Sequence, residues 1–284
     1  MINGNKGILI IFLFLILDVY SSDIQKVTYA GWNNPDVELF YKLPNSINDN
    51  TEILFIIHGA SRNVERYLEA WLEDSKNKNV ILVAPYFSKE AYQNYQTLQL
   101  AKSSGEILDD SNYKLTNSIS SFFTFFKSKY QLKTQTYRIF GFSGGSQFVH
   151  RYMMYGKDTR VERAVIGSAG WYTFLNNEPF PFGTTDMPID KERIDWFLSR
   201  EVLFILGESD NDSNHSALNL NKGAKKQGKH RHERGQNYFN SLINYADLNQ
   251  RAFRWRYRSV EGLGHNIEEM TKNAAPFLLS GLDY

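Results

Sequence analysis

The stretch Tyr137-Arg138-Ile139-Phe140-Gly141-Phe142-Ser143-Gly144-Gly145 carries the strongest indication of the fold. Residues 137–142 have the apolar character of a buried strand, and the segment 144–155 is predicted to be a helix. A Gly-x-Ser-x-Gly pattern at a strand-to-helix junction predicts a turn too sharp for side chains at the outer positions, with the serine in a strained backbone angle. Its hydroxyl would stand at the positive end of a helix dipole, where a developing oxyanion is favoured. The alternative is a turn that only caps the helix.

Buried strands alternate with helices on both sides of this turn. Continuous apolar runs predict strands, and apolar residues at helical spacing predict helices. The predicted strands are 27–32 and 37–43, which read as a hairpin, then 53–57, 80–84 (stopped by Pro85), 137–142, 163–168, 202–207 and 253–260. The predicted helices are a segment from Asn63, 115–130, 144–155, 236–248 and a segment from Asn266. This order predicts an α/β fold class, a mostly parallel sheet with helices on both faces.

Two segments do not fit the alternation. Residues 171–200 contain three prolines and several aromatic residues, and residues 211–235 are polar and basic. Both follow the carboxyl ends of predicted strands, the edge at which open α/β sheets build their sites. We therefore expect lid-like or pocket-forming insertions.

The first 22 residues have the character of a secretory signal. One positive charge at Lys6 precedes the apolar run 8–17, which is too short to span a bilayer, and small residues follow at Ser21 and Ser22. We expect residues 1–22 to be a signal peptide and residues 23–284 to be one secreted or periplasmic domain with no stable membrane anchor. The alternatives are a buried first strand and an uncleaved anchor, and Asp18 beside the run argues against the anchor.

Charge and cysteine content exclude several kinds of function. The formal net charge is +1, so the totals give no field that would recruit nucleic acid or anionic lipid. The chain has no cysteine, which excludes disulfides, thiolate metal ligands and a cysteine nucleophile. A small-molecule substrate is therefore the expected partner, and a serine must carry any covalent chemistry.

A serine nucleophile needs a histidine base and an acid that orients the histidine. His265 follows the last predicted strand, whereas the other histidines lie before the serine, in a helix or in a polar loop: His58, His150, His215, His230 and His232. Asp210 follows strand 202–207 in Gly-x-x-Asp spacing, and the order Ser143, Asp210, His265 is that of hydrolases. Asp212 is the alternative acid.

The segment around Asp210 also resembles the start of a calcium loop. In that reading Asp210, Asp212 and Asn214 would be ligands, but His215 stands where the loop requires glycine. No glutamate closes the loop at its twelfth position, so we expect no metal.

A tetrahedral intermediate requires two donors for its oxyanion. Gly144 follows the nucleophile and supplies one N–H, and the loop His58-Gly59-Ala60-Ser61 supplies the other, which we assign to Ala60. We expect His58 to tie down this loop.

Trp171 and Tyr172 follow strand 163–168 and are candidates for the wall of a substrate pocket, the alternative being ordinary core or lid aromatics. The basic run 229–234 is expected to be a solvated charged loop, the alternative being a receptor for an anionic substrate group.

Three parts of the sequence resemble a known family. The segment 141–151, the loop 58–63 and Gly262-x-Gly264-His265 are similar to α/β-hydrolases of the polyhydroxybutyrate depolymerase and feruloyl esterase group, over roughly residues 50 to 275. The resemblance implies the α/β-hydrolase fold and a carboxylic ester hydrolase with the triad named above. The chain lacks the disulfides and the substrate-binding module of the secreted depolymerases, which argues against polymer degradation.

The expected function is therefore that of a serine esterase that forms an acyl-enzyme and needs no cofactor. An acyltransferase or a peptidase with the same triad is an alternative, and so is a non-catalytic binding protein that kept the fold. The intact serine, acid and histidine favour an enzyme.

Overall fold

The computed structural model of the chain describes residues 24–109 and 113–283. The expected signal peptide, residues 1–22, lies outside the described residues. None of the helices in the described ranges is both long and apolar enough to cross a membrane.

Within these ranges, eight strands form one sheet. The strands are β1 Gln25–Tyr29, β2 Val37–Lys42, β3 Glu52–Ile57, β4 Val80–Tyr86, β5 Tyr137–Phe142, β6 Val161–Gly167, β7 Glu201–Gly207 and β8 Arg256–Val260. Their order across the sheet is β1-β2-β4-β3-β5-β6-β7-β8. Strands β1 and β2 form the predicted hairpin, β2 is antiparallel to β4, and every pair from β4 to β8 is parallel. The predicted mostly parallel α/β sheet is confirmed.

Helices cover both faces of the sheet. They are α1 Val64–Glu69, α2 Leu72–Ser75, α3 Ser118–Lys129, α4 Gly144–Tyr155, α5 Lys191–Ser199, α6 Lys222–Gln227, α7 Arg231–Leu248 and α8 Ile267–Leu278. Successive strand residues point to opposite faces. Leu54 accordingly packs in a core with α1 and α8, whereas Phe55 packs in a larger core with α3, α4 and α7.

The structure corrects the predicted bounds of β4 and α7. Strand β4 continues through Pro85, because its pairing with β3 ends at Val83 and Pro85 faces only β2, at Leu39. A proline is tolerated where a strand has one neighbour instead of two. Helix α7 begins at Arg231 rather than at residue 236, and His230 caps it by accepting a hydrogen bond from the Glu233 N–H.

The two insertions lie at the expected edge of the sheet. Residues 171–200 follow β6 and contain α5, and residues 211–235 follow β7 and contain α6 and the start of α7. Strands β5, β7 and β8 therefore all end next to these insertions. Those strand ends carry the candidate site.

Candidate active site

Ser143 lies in the turn between β5 and α4 with a strained backbone, at φ 56° and ψ −120°. A non-glycine residue at positive φ is unfavourable and persists only where surrounding structure enforces it. The flanking glycines provide that enforcement through close backbone packing. A Cβ on Gly141 would lie 2.5 Å from the carbonyl oxygen of Gly145, and a Cβ on Gly145 would overlap the carbonyl oxygen of Ile57 in β3.

The structure brings Ser143, His265 and Asp210 into one hydrogen-bonded series. Nε2 of His265 lies 2.9 Å from the hydroxyl oxygen of Ser143. Nδ1 of His265 lies 2.7 Å from Oδ2 of Asp210. The imidazole also packs on the ring of Phe142, with ring centroids 4.6 Å apart. In this arrangement one nitrogen of the imidazole lies beside a serine hydroxyl and the other lies beside a carboxylate.

Backbone hydrogen bonds join the loops that carry the acid and the histidine. The Glu208 N–H donates to the Val260 carbonyl, and the Ser209 N–H donates to the Leu263 carbonyl, both at 3.0 Å. Because β7 and β8 are adjacent and parallel, the residues that follow them emerge side by side. This pairing brings Asp210 to His265.

Asp212, the alternative acid, is exposed, and its carboxylate accepts the Asn214 N–H at 2.8 Å within the same loop. The contact with His265 is made by Asp210 instead. Among the described residues, no group of three or more histidine, aspartate or glutamate side chains is arranged to hold a metal ion.

The electrostatics of the pair favour a neutral histidine beside an ionised acid. Burial lowers the pKa of His265, and the charge of Arg231 and the nearby His215 lower it further, while Asp210 opposes them. Burial disfavours the charged form of Asp210, yet the hydrogen bond from His265 and the charges of His265 and Arg231 hold its pKa below the ordinary value. A neutral imidazole can accept the serine proton, and a charged carboxylate can stabilise the imidazolium that results.

Two site residues were not identified from the sequence as neighbours of the acid. Arg231 is buried and reaches Oδ1 of Asp210 with Nη1 at 3.3 Å, and its Nη2 lies 3.2 Å from Nδ1 of His215. The ring of His215 meets that of His265 at 5.9 Å between centroids.

The prediction that residues 229–234 form a solvated loop is wrong for Arg231 and Arg234, which are both buried on the first turns of α7. The sequence does contain one indication of this burial. Arg231 and Arg234 are three residues apart, so they would lie on the same face of a helix.

The loop after β3 brings Ala60 to the nucleophile turn. A Cβ on Gly144 would lie 2.8 Å from the Ala60 nitrogen, and one on Gly59 would lie 3.7 Å from the Cβ of Ser143. Gly144 is the first residue of α4, so its N–H has no acceptor within the helix. The two N–H groups assigned from the sequence therefore lie together beside Ser143.

His58 holds this loop in place. Its Nε2 accepts the Phe87 N–H at 3.1 Å, so Nδ1 carries the proton and donates to the Gly59 carbonyl at 2.9 Å. Burial lowers the pKa of His58 to about 4, which keeps the ring neutral. The hydroxyl of Tyr95 donates to the His58 carbonyl at 2.9 Å and fixes the loop from the other side.

The aromatic pair after β6 divides between two environments. Tyr172 is fully buried, stacks on Tyr238 at 4.5 Å between ring centroids, and accepts the Ala169 N–H. Of the two alternatives for Tyr172, its burial agrees with an ordinary core aromatic, because its ring belongs to the main core. Trp171 packs on Phe182 within the insertions, and its role in a pocket wall stays a prediction.

Comparison with known proteins identifies similar solved structures. No family model matches the chain, and no curated protein matches it. Poly(aspartic acid) hydrolase-1 from Sphingomonas sp. KT-1 is 28% identical, with a TM-score of 0.84 over 90% of this chain and 98% of that chain. The poly(3-hydroxybutyrate) depolymerase LpqC from Bordetella parapertussis is 20% identical, with a TM-score of 0.82 over 92% of this chain and 90% of that chain. A ferulic acid esterase is 14% identical, with a TM-score of 0.55 over 90% of this chain and 97% of that chain. These similarities and the topology of the sheet show that the chain has the α/β-hydrolase fold.

Proposed function

We propose that this chain is a serine hydrolase that cleaves a carboxylic ester through an acyl-enzyme. The observation that carries the proposal is the unbroken series from the Ser143 hydroxyl through both nitrogens of His265 to the Asp210 carboxylate, at 2.9 and 2.7 Å. These are the distances at which a base can take the proton of a nucleophile while an acid fixes its tautomer.

In the first half of the reaction, the Ser143 oxygen attacks the carbonyl carbon as its proton passes to Nε2 of His265. The tetrahedral oxyanion then receives hydrogen bonds from the N–H groups of Ala60 and Gly144. Donors fixed in advance stabilise this charge, and loss of a single donor in a comparable site lowers kcat by about a hundredfold to a thousandfold. His265 next donates its proton to the leaving oxygen, which departs as an alcohol and leaves Ser143 acylated.

Water completes the cycle. His265 takes a proton from the water molecule that attacks the acyl carbon, a second oxyanion forms at the same two donors, and collapse returns the proton to Ser143. Asp210 stays ionised throughout and stabilises the imidazolium in both halves. The sequence of steps needs no cofactor.

Hydrolysis of an amide bond in an acidic polymer is a second candidate, and two observations favour it. The Sphingomonas enzyme, 28% identical to this chain, is a poly(aspartic acid) hydrolase. The insertion after β7 is also strongly basic and carries exposed cations at Lys222, Lys225 and Lys229. The same triad cleaves esters and amides, so the choice depends on how the insertions receive the substrate.

A fluorophosphonate probe tests the nucleophile. It should label the wild-type protein at Ser143, Ser143→Ala should abolish labelling, and Ser209→Ala should label like wild type because Ser209 is an exposed serine beside the triad acid. Labelling that persists in Ser143→Ala rejects the assignment.

A substrate panel then tests the bond that is cleaved. It contains p-nitrophenyl esters of increasing acyl length, poly(3-hydroxybutyrate) and poly(aspartic acid). Turnover of the esters supports the first proposal. Release of amines from poly(aspartic acid) without ester turnover supports the second and overturns the first.

A further inference from the structure

Each oxygen of the Asp210 carboxylate has its own nitrogen partner. Oδ2 meets Nδ1 of His265 at 2.7 Å, and Oδ1 meets Nη1 of Arg231 at 3.3 Å. The side chains of Arg231 and Asp210 are only 2% and 3% exposed, so this is a buried ion pair. Removal of one member of such a pair leaves the other charge uncompensated.

Arg231 is itself fixed from two directions. It is the first residue of α7, which positions its backbone, and its Nη2 donates to Nδ1 of His215 at 3.2 Å. Nδ1 of His215 also accepts the Ala217 N–H at 3.1 Å. His215 therefore contacts the second terminal nitrogen of the guanidinium, while the backbone of the insertion contacts His215.

We propose that Arg231 is a positioning residue of the triad, which holds the Asp210 carboxylate ionised and turned so that Oδ2 faces His265. The inference rests on the proposed hydrolase function. The guanidinium occupies Oδ1, which leaves Oδ2 as the oxygen available to the histidine. Without it, the carboxylate could rotate about its last bond, and the histidine would lose its fixed tautomer and orientation.

The charged groups around the triad predict that loss of Arg231 changes the pH dependence of the reaction. His265 faces the Asp210 carboxylate, the Arg231 guanidinium and the His215 ring. The charge of Arg231 also acts on the buried Arg234, and the charge of Asp210 acts on the neutral phenol of Tyr172. The Asp210 carbonyl accepts the His232 N–H, and the His232 ring lies against the Gly207 carbonyl. Arg231 is the cation in direct contact with the acid, so its removal should raise the pKa of both His265 and Asp210.

The test compares Arg231→Gln with Arg234→Gln, a matched variant one helical turn away. Arg234 is equally buried but donates to the Gly228 and Gly170 carbonyls and does not touch the triad. We expect Arg231→Gln to shift the acid limb of kcat/KM to higher pH and to lower kcat by roughly tenfold to a hundredfold, with KM within about twofold of wild type. Arg234→Gln should leave the acid limb in place.

Titration of the His265 ring by NMR gives a readout that does not depend on turnover. The midpoint should rise in Arg231→Gln and stay at the wild-type value in Arg234→Gln. An unchanged midpoint in Arg231→Gln, or equal shifts in both variants, overturns the proposal. If the wild type turns over neither esters nor amides, the proposed function fails, while the NMR comparison still decides whether Arg231 acts on His265.

Arg231→Lys separates charge from geometry and also serves if Arg231→Gln does not fold. Lysine retains a positive charge but lacks the fork that bridges Asp210 and His215. We expect the acid limb to stay near that of wild type while kcat falls by roughly tenfold. Wild-type kcat in Arg231→Lys overturns the positioning role.

Discussion

The backbone of Gly145 lies so close to the carbonyl oxygen of Ile57 that a Cβ there would overlap it, so the nucleophile turn meets the end of β3 through backbone atoms. Backbone cannot yield as a flexible side chain can, so Gly145→Ala must move either the turn or the strand. We expect it to lower the free energy of unfolding by about 3 kcal/mol. Gly264→Ala is the control, because a Cβ on Gly264 meets no atom within 4 Å. Urea denaturation checks both variants, and equal effects would contradict the packing argument.

The strained backbone of Ser143 predicts an order of stability among its variants. Glycine relieves the positive φ of 56°, whereas alanine retains it. The relief of about 1–3 kcal/mol exceeds the extra chain entropy of glycine, about 0.5–1 kcal/mol. Ser143→Gly should therefore be more stable to unfolding than Ser143→Ala by about 1 kcal/mol. A lower midpoint for Ser143→Gly in thermal unfolding would show that the turn is not strained.

The contact between Asp210 and His265 predicts different effects of two neighbouring amide substitutions. Asp210→Asn can leave the imidazole in the wrong tautomer, and we expect kcat to fall by at least about a hundredfold, which corresponds to about 2.7 kcal/mol. Asp212→Asn removes one exposed charge and should stay within about tenfold of wild type. Both variants should show a cooperative thermal transition. If Asp212→Asn loses most of its kcat while Asp210→Asn keeps a kcat near that of wild type, the acid is Asp212.

The buried His58 predicts a loss of stability in acid. Its pKa is about 4 in the folded chain, below its ordinary value of 6.5, so the unfolded chain binds the proton first as the pH falls. The free energy of unfolding is therefore unaffected by His58 above about pH 6.5. It decreases between about pH 6.5 and about pH 4, by as much as about 3 kcal/mol. Urea denaturation at several pH values should show this slope, and His58→Gln should make it shallower. A variant with the wild-type slope would assign the effect to other groups.

Export of the chain stays a prediction from residues 1–22. The intact mass of protein recovered from outside the cytoplasm should correspond to a chain that begins near Ser22 or Asp23. Full-length chain that remains in the cytosol, with Met1 retained or only trimmed, would contradict it.

Local patterns predicted much of the fold because its elements are set by short-range periodicity. The bounds of β5 and α4 match the prediction, since one apolar run and one helical repeat meet at Gly141-Phe142-Ser143. Asp210 and His265 could be picked out because each follows a buried strand, and the carboxyl ends of parallel strands share one edge.

The burial of Arg231 and of Tyr172 depends on contacts that no local pattern encodes. Arg231 lies in a run of charged residues with the composition of a solvated loop, and its burial depends on a carboxylate 21 residues earlier in the chain. The sequence places Tyr172 after β6, but its ring stacks on Tyr238 of α7, a contact that the local sequence does not reveal. Composition describes what a segment can tolerate, whereas burial of a charge or a ring is decided by its distant partner.

Asp210 and Arg231 also flank residues 211–230, the part of the insertion after β7 that precedes α7. Their ion pair, together with the hydrogen bond from the His232 N–H to the Asp210 carbonyl at 3.1 Å, joins those ends directly. The entropy of closing a loop changes only with the logarithm of its length. The part of this segment that follows Ala217 can therefore change in length at little entropic cost while Asp210 keeps its contact with His265.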